Sequence, residues 1–296
     1  GVLIRFGKTR AVTIGSVTRL AVDFVALTLF YFLLDLPGIA VAAATITAGV
    51  SGEALYAKLR VAPILAGDMR TATTTDAPLT LSSFTNFYLP LVMTSLMQIL
   101  VQPLGIAALS RMPDPLNSLA VWPVVYGLLI VLMSSGIAYT EVVVILLEEP
   151  HAAVGLQRFA AKLALVLTGA LFLLNATPLA GIWFGQVLAL PPDLIATAQL
   201  GLWIGLLVPG LTALESWFSG VLLFNRRTRG ITEAVFLGLL TMTATLLSGI
   251  AWGAVAGIAV AAAALATGSL ARVLWLWWRT RRPRRQLLMP IPPVAA

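Results

Sequence analysis

The amino-acid sequence predicts an all-α fold, a polytopic bundle of membrane-spanning helices, on three observations. Of 296 residues, 59% are hydrophobic and only 10% charged, whereas a soluble domain carries about a quarter charged residues and just under half apolar ones. Apolar stretches recur along the whole chain, each near the roughly 20 residues that a helix needs to cross the hydrocarbon layer. The basic residues are segregated between these stretches in an alternating pattern. A water-soluble fold is excluded, and no room is left for a separate catalytic domain.

Eight candidate spans follow in order: 12–36, 38–57, 84–108, 119–147, 158–179, 195–224, 231–252 and 254–278. The first lies between a basic N-terminal segment and Pro37, and the second is rich in small residues. The third follows a polar loop, and an Arg-Met-Pro-Asp-Pro turn leads into the fourth, which ends at Glu148, Glu149 and His151. The fourth and sixth exceed what the bilayer needs, so tilt or projection past the headgroups is expected. Pro37, Pro90, Pro103, Pro123 and Pro209 fall within or beside spans and mark expected kinks, because proline removes a donor and crowds the carbonyl four residues back. Trp275, Trp277 and Trp278 precede Arg279 at the end of the eighth span, as an interfacial aromatic belt would.

Charge then sets orientation. With the N-terminus inside, cytoplasmic segments hold Arg5, Lys8, Arg10, Lys58, Arg60, Arg70, Arg158, Lys162, Arg226, Arg227, Arg229, Arg279, Arg281, Arg282, Arg284 and Arg285, 16 of the 19 basic residues. Only Arg111 falls in an opposite loop, while Arg19 and Arg272 sit inside spans. This bias predicts both termini in the cytoplasm of a multi-pass protein of the cell inner membrane. The net charge of +7 is thereby a topology signal, and no nucleic-acid partner is expected. The proline-rich stretch at the end of the basic tail, 279–296, is expected to be disordered at the membrane surface.

The chain also repeats itself. Residues 1–13, GVLIRFGKTRAVT, align without a gap to residues 220–232, GVLLFNRRTRGIT, an offset of 219. The same offset lays Gly38–Ala44, GIAVAAA, on Gly257–Ala263, also GIAVAAA, and Arg60 on Arg279. The polar first match is the informative one, because small-residue helices often look alike. Spans one and two then correspond to spans seven and eight. The expectation is a 6+6 parallel repeat about an axis along the membrane normal, a common transporter plan. In that plan about 135 residues carrying four helices would precede the chain, which would make it the C-terminal eight of twelve helices; a genuine eight-helix homologue is the alternative. The expected parts are residues 1–60, the last two helices of an N-terminal lobe; 61–83, an inter-lobe linker; 84–278, a six-helix lobe; and 279–296, the basic tail.

The segment FTNFYLPLVMTSLMQILVQPLGIAALSR, 84–111, resembles the opening helix of the second half of the multidrug/oligosaccharidyl-lipid/polysaccharide flippase superfamily, which includes the MATE-like transporters. Its Pro90-Leu91, Met97-Gln98 and Gln102-Pro103 pairs resemble the progressive ankylosis protein branch, as do GVLIRFGKTRAVT and ESWFSGVLLFNRRTRGIT. The resemblance implies two six-helix lobes around a cavity and an exporter or flippase working by alternating access, with a drug, a phosphate-type anion or a lipid-linked sugar as substrate.

Ionisable and amide side chains inside spans are costly and are therefore the candidate functional groups. Arg19 and Asp23, four apart, share a helix face and are expected to pair, lowering the cost of insertion. Thr94, Gln98 and Gln102 recur every four residues on another face, which must meet helices or water and not lipid. Helix–helix bonding and a substrate-cavity wall are both open for this stripe, and the resemblance favours the wall. Glu141 and Glu215 have few opposite charges nearby in sequence; burial would favour their neutral form, making them candidate H+ or Na+ coupling sites. Arg111 and Asp114 are expected to pair in their turn.

No cysteine and a single histidine, His151, exclude disulfides, thiolate nucleophiles and multi-His metal sites. No nucleophile elbow, P-loop or carboxylate cluster is present, so nothing points to an enzyme, and no cofactor beyond a coupling ion is expected. Expected partners are membrane lipids, a small-molecule or lipid-linked substrate, and the preceding four helices or a larger membrane complex. A non-transporting membrane subunit that packs in a larger assembly is the second function class, suggested by the four helices the repeat plan expects beyond these eight and by small-residue surfaces such as Gly253–Gly268.

Overall fold

The computed structural model describes Leu3 and residues 8–33, 37–67, 81–149 and 151–283. Among these residues the structure is all helix and turn with no strand, and eight helices are long and apolar enough to cross a membrane. The protein is a multi-pass membrane protein. Asp35, Asp68 and Asp76 and the tail from Arg284 lie outside the described residues. The chain divides into two compact units, residues 1–79 and 80–296, and each is taken by itself.

The first unit is a hairpin of α1, Thr9–Leu33, and α2, Gly38–Ala66. Three glycines hold its helices close. Gly15 lies against the Tyr56 ring, Gly52 against Val22, and Gly49 against the Asp23 carboxylate, where a Cβ would fall 1.8 Å from Oδ1. Without a hydrophobic force between helices in lipid, such small-residue contact is what lets dispersion and polar bonds act. Helix α2 runs nine residues beyond the expected end at 57, because Lys58 and Arg60 can carry their charge outward on long stems. Arg60 folds back instead onto its own helix, its Nε donating to the Tyr56 hydroxyl at 3.1 Å with the guanidinium 5.5 Å from the ring centroid.

The second unit contains the other six spans. Helices α3, Leu81–Ile99, and α4, Val101–Leu109, form the third span; α5, Pro115–Leu146, the fourth; and α6, Ala152–Ala176, the fifth. A short helix α7, Leu179–Ile182, followed by a π-helical turn, Trp183–Val187, leads to α8, Pro192–Ile204, and α9, Val208–Phe224, which together make the sixth. Helices α10, Arg229–Trp252, and α11, Gly257–Arg279, make the seventh and eighth. Two of the expected kinks are breaks. Pro103 lies four residues after Ile99 and Pro209 four after Gly205, the carbonyls that a proline ring displaces; α3 ends at Ile99 and the α8–α9 helix is interrupted at 205–207. Pro123 leaves α5 continuous.

Helix α9 is the centre of this unit. It packs on α5, α6 and α11, and its residues from Thr212 to Leu222 are buried with few exceptions. Gly210 abuts Ala164 and Thr168 of α6, Gly220 abuts Val143 of α5, and Gly136 of α5 abuts the Thr212–Ala213 backbone. Apolar side chains stand exposed on several helices of the bundle, Leu165 and Phe172 on α6 and Phe236 and Trp252 on α10 among them. Such exposure suits contact with lipid.

The α10–α11 hairpin reproduces the α1–α2 hairpin at the offset of the sequence repeat. Leu33 and Trp252 close the first helices, and Gly38 and Gly257 open the second ones. The residues before those glycines, Pro37 and Ala256, share φ of −54° with ψ of 138° and 134°. The interior close contact recurs as well: Gly268, the counterpart of Gly49, meets the Gly238 carbonyl and Met242, the counterpart of Asp23.

Candidate functional site

Within the second unit, five of the spans surround a cavity of about 600 Å³. Each helix contributes a stripe at i, i+3/i+4, i+7 spacing, such as Tyr126, Ile130, Met133, Ile137 and Thr140 on α5 and Thr212, Glu215, Ser216 and Ser219 on α9. The lining is mainly apolar, and its polar groups include Gln98 of α3, Glu215 of α9 and Arg272 of α11.

Glu215 and Arg272 form an ion pair across helices, Oε1 to Nη1 at 3.2 Å. Their side chains are 15% and 20% exposed, so the pair is largely shielded and opens only onto the cavity. Arg272 also reaches the Ser269 hydroxyl at 3.5 Å. What admits its stem is Gly238 on α10, where a Cβ would stand 2.4 Å from the Arg272 Cγ. Each ion alone would cost several kcal/mol to bury. Together they hold one negative and one positive group in a cavity whose wall also carries the Gln98 amide.

The Thr94, Gln98, Gln102 stripe divides between the two uses left open for it. Gln98 lines the cavity. Thr94 and Gln102 are not among the lining residues, contrary to the cavity-wall expectation. The Thr94 hydroxyl meets that of Thr232 on α10 at 3.0 Å, and Gln102 Oε1 accepts from Trp122 Nε1 of α5 at 3.1 Å while also bonding Tyr126. Both are helix–helix ties. The partners decide the split: α10 offers Thr232 to Thr94, and α5 offers Trp122 to Gln102.

Glu141 does not join the cavity. It sits on an exposed face of α5, and Glu215 is the acid that lines the cavity. Arg19 and Asp23 pair as expected, Nε to Oδ2 at 3.8 Å, but Arg19 also faces Glu53 of α2, Nη1 to Oε2 at 3.7 Å. At 44%, 27% and 35% exposure this triad is loose. Arg111 and Asp114 do not pair: Arg111 Nη1 donates to the Ala107 carbonyl, and Asp114 accepts from Asn117 Nδ2. Glu148, Glu149 and His151 lie exposed at the turn after α5.

Arg272 as the partner of Glu215, and Glu53 as the third member of the Arg19 group, were missed in the sequence. A signal for Arg272 was present. It is one of two arginines inside spans and has no acid three or four residues away on its own helix, so its counter-ion had to come from another helix. No family model matches the chain, and no curated protein or solved structure matches it either.

Proposed function

We propose that the protein is a secondary active transporter of the multidrug/oligosaccharidyl-lipid/polysaccharide flippase type, exporting or flipping a polar, anionic or amphipathic solute by alternating access, with H+ or Na+ as the coupling ion. The observation that carries this reading is the Glu215–Arg272 pair in a helix-lined cavity that Gln98 also lines. A charge pair shielded from lipid but open to a cavity is expensive, and such groups inside membranes mark solute and ion pathways. With Glu215 ionised, Arg272 is neutralised and the cavity has no surplus charge to offer. When Glu215 takes a proton or a sodium ion, the pair loosens and the guanidinium is released to a solute anion, with the Gln98 amide supplying a further donor. Solute and cation thus share one electrostatic switch.

The alternative of a non-transporting subunit rested in part on the small-residue surface of the last hairpin. That surface is consumed inside the unit: Gly257 and Gly268 are buried, against Leu109 and Gly238 respectively. Orientation is proposed with the 225–228 and 147–151 turns on the cytoplasmic side and the 109–114 turn opposite. Single cysteines at His151 and Asn117, in a chain with no cysteine of its own, are expected to label from opposite faces of the membrane; labelling from one face refutes the topology.

The functional test uses the protein reconstituted in vesicles with an imposed H+ or Na+ gradient. Glu215→Gln is expected to abolish ion-driven uptake in protein that still folds, at a cost in thermal stability because Arg272 loses its counter-ion, and Gln98→Ala to weaken apparent solute affinity more than ion dependence. Unchanged ion dependence in Glu215→Gln makes the pair structural and rejects the mechanism.

A further inference from the structure

A second cavity, of about 750 Å³, lies at the end of the same unit where α9 turns into α10, and its wall contains Arg226, Arg227, Arg229 and Arg279. Of these, Arg279 is the one salt-bridged to an acid, Glu233, whose carboxylate also feels the charge of Arg229. Arg279 Nε and Nη2 donate to the Glu233 carboxylate at 2.8 and 2.5 Å, and the Arg279 guanidinium lies 5.9 and 5.8 Å from the Trp275 and Trp278 ring centroids. Among the described residues no ion pair engages Arg226, Arg227 or Arg229, and all three are exposed. Four guanidinium groups thus share one carboxylate around a concave space.

The turn is shaped to place them. Arg227 N donates to the Leu222 carbonyl at 2.8 Å and Arg226 N to that of Leu223 at 2.9 Å, which closes α9 with Arg226 at φ of 54°. That left-handed position normally belongs to glycine. Gly230 brings the start of α10 against Leu222 and Arg279, a Cβ there lying 3.0 and 3.7 Å from them. The remaining wall is Thr85 and the exposed Leu89 of α3, so the cavity has a cationic floor and an apolar lip. Trp277, with Arg281 stacked 4.0 Å from its ring, and Trp278 put this end at the depth where indole rings meet the headgroup layer.

We propose that this cavity is a binding site for a phosphate group, and that the group is supplied by an anionic phospholipid whose chains run down past Leu89. Guanidinium groups suit phosphate oxygens because their paired N–H donors match them two at a time, and basic pockets between spanning helices at the headgroup level hold anionic lipid heads. The inference does not depend on the transport reading or on which face is cytoplasmic.

Native mass spectrometry of the detergent-purified protein, incubated with phosphatidylglycerol or with phosphatidylcholine, tests it. Retained phosphatidylglycerol is expected to exceed retained phosphatidylcholine. Affinity for phosphatidylglycerol should fall about fivefold in Arg226→Gly and about a hundredfold when Arg226, Arg227 and Arg229 are all changed to glutamine. Arg226→Gly also guards against a folding artefact: glycine suits the left-handed turn, so its melting temperature should hold or rise while lipid retention falls. Inorganic phosphate at millimolar concentration is the second arm. If it protects the protein against heating through the same arginines and no lipid is retained, the site takes free phosphate and the lipid assignment is wrong. Equal retention of both lipids with no phosphate effect, or retention unchanged in both variants, overturns the site.

Discussion

The hairpins α1–α2 and α10–α11 are built alike and used differently. They share the helix boundaries at the hairpin turn at an offset of 219, a glycine at 49 and 268 in close contact with the facing helix, and an arginine over an aromatic ring one turn earlier, Arg60 on Tyr56 and Arg279 on Trp275. The polar layer between these features has been exchanged. Arg19, Asp23 and Glu53 in the first hairpin stand where Gly238, Met242 and Arg272 stand in the second. The first hairpin keeps its charges to itself. The second removes the arginine at 238, reverses the charge at 272, and sends that charge out to Glu215 of α9. A repeated scaffold can therefore hold its backbone contacts fixed while one layer of side chains is turned from internal pairing to a cavity.

The largest expected effect comes from breaking the exported charge. Arg272→Met alone should destabilise the protein by about 3 kcal/mol, because Glu215 is left without its counter-ion. Adding Glu215→Gln should recover much of that loss, so a double-mutant cycle read by thermal unfolding in detergent should show strong coupling. Additive losses would mean that the two residues do not act as a pair.

Next comes the shared glycine. At Gly268 the obstacle to a Cβ is the Gly238 carbonyl at 2.9 Å, whereas at Gly49 it is the Asp23 carboxylate, which can rotate. Gly268→Ala should cost about 2 kcal/mol through overpacking, and Gly49→Ala distinctly less. Equal losses would show that the hairpins are held with equal rigidity. The smallest effect is expected at the first polar layer: Glu53→Gln should change stability by less than about 1 kcal/mol, since the exposed Arg19 group is a loose one.

Much of this was legible in the sequence, for reasons that differ by residue. Span number and approximate position follow from composition, and the breaks at Ile99 and 205–207 from Pro103 and Pro209, because the cost of a proline is local. The repeat was visible because GVLIRFGKTRAVT and GVLLFNRRTRGIT preserve polar positions that chance does not. The cavity was half legible. Gln98 and Glu215 were found as intramembrane polar groups, but the same rule selected Glu141, whose exposure depends on which face of α5 meets α9. Gln102 could not be separated from Gln98, because the spacing gives a shared face and not which neighbouring helix meets that face at each level. The ion pair lies 57 residues apart in sequence and is created by tertiary packing alone.

The central claim, that this cavity is visited from both sides of the membrane in turn, is tested most directly by a cysteine at Ile130. That residue lines the cavity midway along α5 and is not one of its polar groups. The protein has no other cysteine, so the rate of modification by an impermeant thiol reagent, applied to either face of sealed vesicles, reports access at one point. The account predicts labelling from both faces, with the ratio of the two rates shifting when the H+ or Na+ gradient is reversed and the shift lost in Glu215→Gln. Labelling from one face only, indifferent to the gradient, would contradict it.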